Sequence, residues 1–561
     1  LTESVVQNAN PAKSRTKQAK WPIVSLGKDR SRLISEVSKR AQDVVQKAYA
    51  RPGELDRVLA ETFYQERIRI REQPWSVDPK DDWEFWAWVK KEVARGSLGK
   101  RGAAPSAHAP QVVRSIVQRY VDEIAGRFSL STYRFSTKAV PLGFSSFLNA
   151  ASSKTFRSIW THETKLSDRI LLKGQIDQLK KLSQKGTVIL VPTHMSNLDS
   201  ILIGWGLFAM GLPPFLYGAG LNLFTNRILG WFMNRLGAYK VDRRKKNPIY
   251  LESLKTFSTY AIEHGCHSLF FPAGGRVRSG AIEKDLKLGL LGTALQAQKN
   301  QIFAGQESKV FVVPMVMSNH FVLEAESLIH EHLSRTGREY YLLVKDEFSK
   351  LNQQLRFLWR FFSEGSEIVM RFGQAYDLFG NPVDEEGKSI DKRGCPVDIK
   401  RYFMTGGSLH EDLQRDKRYV KELGQVIAQR YRVENEVISS HVVAFAAFKC
   451  FERSYKELDF YALLRLPRED RELRRADLCE AIERILEKLQ ELRRQRKIHL
   501  SPICDEGAEK VYRHGIEHLG VYHSKRPLIE INDDQVASES LNLLYYYHNR
   551  LSGYGLEEVM L

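Results

Sequence analysis

Six short apolar runs, each bounded by turn residues, punctuate the middle of the chain: Thr187–Pro192 (TVILVP), Ala238–Val241, Ser268–Pro272 (SLFFP), Val310–Val316 (VFVVPMV), Tyr340–Val344 and Ile368–Phe372. Runs this short, without polar alternation, predict strands buried on both faces. Stretches with helical spacing lie between most of them. The alternation predicts an α/β fold with a central, mostly parallel sheet flanked by helices. On either side the pattern turns helical. Leu478, Ile482, Ile485, Leu489 and Leu492 recur every three or four residues among Arg and Glu, which predicts a packing helix with one solvated face. The segment Ile201–Phe224 is uncharged, but five glycines and the Pro213-Pro214 pair interrupt it. It reads as a buried helix plus loop, with a re-entrant membrane segment as the alternative.

These patterns divide the chain into a flexible tail (1–20), an N-terminal helical region ending in a Gly/Pro-rich linker (21–110), a helical lead-in (111–180), an α/β domain (181–375) and a C-terminal helical region (376–561). The aromatic cluster Trp75, Trp83, Phe85, Trp86 and Trp88 fits either core packing, the preferred reading, or contact with a lipid headgroup layer.

Composition narrows the choices. A formal net charge of +18 on 561 residues favours an anionic partner: nucleic acid, an anionic lipid surface or an acidic substrate. No zinc finger or base-stacking signature supports nucleic acid. The five cysteines (Cys266, Cys395, Cys450, Cys479, Cys504) form no CxxC pair, which argues against a zinc ribbon or a disulfide scaffold and fits a reducing compartment. Leu1–Lys20 has no apolar centre of the kind a signal peptide needs, so secretion is not expected.

Candidate chemistry sits where the predicted strands end. In VPTHMSNLDS (191–200), His194 follows a strand and Asp199 lies five residues on, with Ser196 or Asn197 placed to cap the next helix. Histidine is the usual general base near neutral pH, and a carboxylate on its second ring nitrogen fixes the tautomer. If the attacking group is the substrate's own hydroxyl, no Ser or Cys nucleophile is needed. In FFPAGGRVRSG (270–280), Gly274 and Gly275 permit a tight turn, Arg276 and Arg278 offer charged forks suited to phosphate, and Ser279 adds a hydroxyl. LGAYKVDRRKK (236–246) ends in four consecutive basic residues. VVPMVMSNH (312–320) is a strand interrupted by Pro314. Singly, each block has a bland structural account; their order and spacing carry the signal.

In that order, HMSNLD, GAYKVDRR, AGGRVRSG and VVPMV resemble the four blocks of the glycerolipid acyltransferase superfamily, closest to the large glycerol-3-phosphate and dihydroxyacetone-phosphate acyltransferases. The resemblance is strong over 185–320, weaker over 120–180 and 320–561, and absent from the first hundred residues. YVKELGQVIAQRY (419–431) and LLYYYHNRL (543–551) are similar to that subfamily's C-terminal helices. The resemblance implies that His194 takes the acceptor's proton and Asp199 orients it. Arg243, Arg276 and Arg278 would hold a phosphate in a pocket shaped by Gly274, Gly275 and Ser279, and Pro314 would wall the acyl-donor site. Backbone N–H groups near Ser196 and Asn197 would steady the oxyanion.

It further implies an acyl thioester donor (acyl-CoA or acyl carrier protein, as co-substrate), a glycerol phosphate acceptor, and no metal or other cofactor. A peripheral or monotopic place on the cytoplasmic side of an anionic membrane follows from the lipid product and the basic charge. Lysophosphatidic acid and dihydroxyacetone phosphate are the alternative acceptors, and a silent lipid-binding relative is the third reading. Three positions depart from the family pattern: Ala273 replaces a glutamate, Val277 a serine, and Asp242 stands where the large subfamily often has arginine.

Overall fold

The computed structural model describes residues 18, 20–97, 109–137, 170–225, 227–336 and 367–559. The strand expected at Tyr340–Val344, most of the expected tail and most of the linker lie outside them.

Seven strands form one sheet: β1 (Ile170–Gly174), β2 (Thr187–Pro192), β3 (Leu216–Gly220), β4 (Ala238–Val241), β5 (Ser268–Leu269), β6 (Val310–Asn319) and β7 (Ile368–Phe372), in the order β1-β7-β6-β2-β5-β3-β4. Five of the six pairings are parallel; β6 and β7 run antiparallel, so β1 and β7 oppose the other five strands. Successive side chains of β2 enter different apolar clusters. Val188 and Leu190 pack with Ile176, Leu182, Leu202 and Ile203 on one face. Ile189 and Val191 pack with Leu295 and with Phe445 and Phe448 of the Ser439–Ser454 helix on the other. Two-sided burial is why these strands read as continuous apolar runs.

Two strands were not anticipated. β1 lies within the segment expected to be helical, where it is an edge strand pairing Ile170–Gly174 with Ile368–Phe372. β3 (LYGAG) lies within the expected helix-plus-loop segment, which forms the helix Asp199–Ala209, then β3, then a short 3-10 turn. Its glycines weaken its strand signal, yet Gly218 makes room for a neighbour. Gly218 pairs with Tyr239, and a Cβ on Gly218 would stand 3.0 Å from the Tyr239 ring. Among the described residues, no helix is long and apolar enough to cross a membrane.

Pro314 occupies the middle of β6, an unusual place for a residue without an N–H. Beside it the β7 chain bulges. Met315 pairs with Phe372 and Val312 with Tyr376, so four steps on one strand face three on the other. The Pro314 carbonyl accepts from Gly373 N–H at 2.8 Å, and the missing donor falls at the bulge, where regular pairing has lapsed.

N-terminal helices, chiefly Arg30–Ala48, Glu54–Glu72 and Ala109–Ile124, pack over β3 and β4 through Val37, Ala41, Val113, Tyr120, Leu216, Tyr239 and Phe257. The aromatic cluster is divided: Trp86 is 2% exposed and belongs to this core, whereas Trp83 is 65% exposed. In the C-terminal region the expected stripe is buried along the Arg475–Arg494 helix.

Several histidines are locked inside as neutral rings. His267 Nδ1 accepts the Val188 N–H at 3.1 Å, and burial pulls its pKa down to about 4. Because this lies below the unfolded value, the unfolded chain takes up the proton first, and the stabilisation present above pH 6.5 is lost as pH falls toward 4. His267→Asn removes that titration. The stability difference between wild type and variant, from urea unfolding, should shift against the wild type by ~3 kcal/mol between pH 7 and pH 4.

Candidate active site

β2, β5 and β4 run parallel and deliver three loops to the same edge of the sheet, at their carboxyl ends, where open α/β sheets place ligands. Two residues after β2 comes His194. The chain then turns sharply, because the Asp199 carboxylate collects the loop: Oδ2 accepts Met195 N–H at 2.7 Å and Ser196 N–H at 2.9 Å, and lies 3.0 Å from His194 Nδ1. Asp199 is 1% exposed and opens the next helix. The helix N-cap is Leu198; Ser196 Oγ accepts the Leu198 N–H, so neither Ser196 nor Asn197 caps it as expected. The His194 ring stacks on Phe271 at 3.9 Å, with its side chain 13% exposed. With Nδ1 held by a carboxylate, Nε2 is the nitrogen left to exchange a proton.

The loop after β5 grips the same histidine. Val277 N–H donates to the His194 carbonyl at 2.8 Å, and Glu283 Oε1 accepts the His194 N–H at 2.8 Å. Gly274 takes φ +69°, and a Cβ there would stand 2.4 Å from Lys287 Cδ. The side chain of Lys287 thus lies across the glycine turn, adding a cation that no motif signalled. Arg276 lies 3.1 Å from Glu324 Oε1, and Arg278 bonds Glu331 at 2.8 Å. Ser279 anchors the loop differently: its carbonyl accepts from Asn549 Nδ2 at 2.9 Å, and its Oγ accepts the Ala281 N–H.

The basic run after β4 separates into different jobs. Arg244 is clamped between Asp242 and Asp78 and stacks over Trp75 at 4.1 Å. Lys245 is buried against Glu123 and faces the Tyr120 ring. Arg243 alone turns toward the other loops, with Nη1 3.9 Å from a Cβ placed on Gly275. Its pKa is lowered, first by protein that strips water from the guanidinium although the side chain still reaches the surface, then by the charges of Arg276 and Arg278. Three guanidiniums gathered in this way can together accept an anion, although Arg276 and Arg278 already pair with Glu324 and Glu331. Asp242 is buried and bonded to Arg244, a brace and not a pocket residue.

His194, Asp199, Arg243, Gly274, Gly275, Arg276 and Arg278 thus meet at one sheet edge. Pro314 lies deeper, paired with Val191 inside the sheet. The expected oxyanion donors are already engaged: Ser196 N–H by Asp199 and Asn197 N–H by Glu324. Glu283 and Glu324 escaped the sequence reading because neither belongs to a motif; their one signal is an acid set in an apolar run (AIE and FVLE).

Residues 173–318 match the family model described as Acyltransferase. The chain is 25% identical over 327 residues to a glycerol-3-phosphate acyltransferase of Shewanella sp. (strain ANA-3), covering 58% of this chain and 35% of that protein. Proteins of the same name from Pseudomonas putida (strain W619) and Aeromonas hydrophila are 26% and 27% identical, over 49% and 47% of this chain and 30% and 28% of theirs. The chain therefore covers about a third of the length of these curated relatives. The ordered blocks and the family match together mark residues 173–318 as an acyltransferase segment similar to that of the glycerol-3-phosphate acyltransferases.

Proposed function

We propose that this protein transfers a fatty acyl group from a thioester, acyl-CoA or acyl carrier protein, to a hydroxyl of sn-glycerol 3-phosphate. One observation carries the reading: a histidine 3.0 Å from its orienting carboxylate, on a loop hydrogen-bonded at Val277 to the arginine loop. A candidate base and a candidate anion site are thereby held on two directly bonded loops. In the proposed step His194 Nε2 takes the proton of the acceptor hydroxyl as that oxygen attacks the thioester carbonyl. The tetrahedral intermediate collapses, the C–S bond breaks, and the imidazolium returns its proton to the leaving thiolate, giving an ester and a free thiol. Asp199 stabilises the imidazolium; Arg243, Arg276 and Arg278 hold the phosphate and place the hydroxyl. The names of the relatives support glycerol 3-phosphate as acceptor. The net charge of +18 supports docking on an anionic membrane, peripheral or monotopic, on its cytoplasmic side.

Ala273 and Asp242 keep lysophosphatidic acid and dihydroxyacetone phosphate as competing acceptors. The deciding experiment is a panel on purified protein: acyl-CoA and acyl carrier protein, each with the three acceptors, followed by thiol release and ester product. The greatest turnover is expected with glycerol 3-phosphate. Thioester binding without product on any acceptor would leave only a lipid-binding role.

A further inference from the structure

The His194 peptide is held on both sides by one loop. Its carbonyl accepts from Val277 N–H and its N–H donates to Glu283 Oε1, each at 2.8 Å. A backbone amide is thus fixed by a side chain 89 residues away, directly at the proposed base. The acid is buried, and its second oxygen, Oε2, has no hydrogen-bond partner among the described residues. A buried carboxyl incompletely satisfied is costly, and its retention beside a functional group calls for a reason. The surrounding loop is built to hold it. Ile282 is buried, and Gly280 turns at φ +80° where a Cβ would strike the Tyr546 carbonyl at 2.1 Å. The Ser279 carbonyl is tied to Asn549. The loop carries alanine at position 273, so Glu283 is its one acid that reaches the histidine.

We propose that Glu283 is a positioning residue: a carboxyl that acts through its length and its acceptor oxygen, and not through charge, to fix the His194 backbone and hence the direction of its ring. Burial pushes its pKa up to about 8, which favours the protonated carboxyl near neutral pH. The groups facing it are Asp199, whose charge acts in the same direction, Arg550, which opposes it, and Tyr431, whose hydroxyl is turned away to the Val191 carbonyl. A neutral acid accepts the amide N–H as an amide oxygen would.

The inference rests on the acyl-transfer reading, and two variants separate reach from charge. Glu283→Gln keeps the length and the acceptor; Glu283→Asp keeps the acid but is one methylene short. Glu283→Gln should retain kcat within about threefold, while Glu283→Asp should lose about tenfold or more in kcat at unchanged KM, the effect of a small misplacement of the base. Because Glu283→Gln has no ionisation to suppress, its melting temperature relative to wild type should rise as pH goes from 5 to 8. The His194 ring signal in histidine-labelled NMR spectra, identified by its loss in His194→Ala, should move in Glu283→Asp and hardly at all in Glu283→Gln. Equal activity in Glu283→Asp and wild type, or equal losses in both variants, overturns the proposal. If wild type turns over no acceptor, the acyl-transfer reading fails, and the NMR shift and melting curves still decide the role of Glu283.

Discussion

His194→Ala should lose about 10²–10⁴-fold in kcat, the range a positioned general base contributes, with KM for the phosphate acceptor little changed. The split follows from the geometry. The proposed base sits on the loop after β2, whereas the proposed anion site is built from the loops after β4 and β5 and keeps its three arginines when the imidazole is gone. The fold should survive, since the ring stacks on Phe271 near the surface and fills no deep core position. Steady-state kinetics beside circular dichroism of the same samples checks both halves. Product from His194→Ala equal to wild type would remove His194 from the mechanism.

Arg69→Met should cost ~3–5 kcal/mol in global stability, the usual consequence of stripping the partner from buried acids. Arg69 is 3% exposed, bonds Glu66 at 2.6 Å and Asp82 at 2.7 Å, and lies 3.2 Å from Asp78. Glu66 and Asp82 are themselves buried, and the remaining donors, Tyr120 and Asn247 on Glu66 and Arg119 on Asp82, do not replace the central charge. Asp78 shows the sign with pH. Burial works to raise its pKa, but Arg244, the Trp75 N–H and Arg69 together hold it below the usual carboxylate value. Stability from such an acid is present above the unfolded pKa and lost as pH falls through the folded one. The deficit of Arg69→Met, measured by urea unfolding, should therefore hold from neutral pH down to about pH 4 and shrink only as pH falls below that. The same variant should weaken phosphate binding, because Asp78 also clamps Arg244, the neighbour of Arg243.

What was legible in the sequence follows the range of the interactions. His194 and Asp199 stand five residues apart and meet within one turn, so a local pattern carries them. The apolar runs of β2 and β6 announced two-sided burial. The run Arg243–Lys246 could not be sorted, because its partners Asp78 and Glu123 come from 166 and 122 residues away. β3 was hidden because the glycine that admits the Tyr239 ring weakens its strand signal. Glu283 and Glu324 gain their meaning only from the backbone groups they meet.

The wrapping of the C-terminal helices under the sheet has a practical side. Tyr431 bonds the Val191 carbonyl, Asn549 the Ser279 carbonyl, and the buried Arg550 reaches the Met317 carbonyl and the Met195 sulfur. Four groups on the 191–317 segment are thus finished by residues more than a hundred positions downstream. The stretch recognisable by family likeness is therefore no self-sufficient module. Cutting the chain at the edge of the likeness would leave the His194 loop unsupported from below and one side of the sheet bare, so grafting or truncation has to carry the distant helices along.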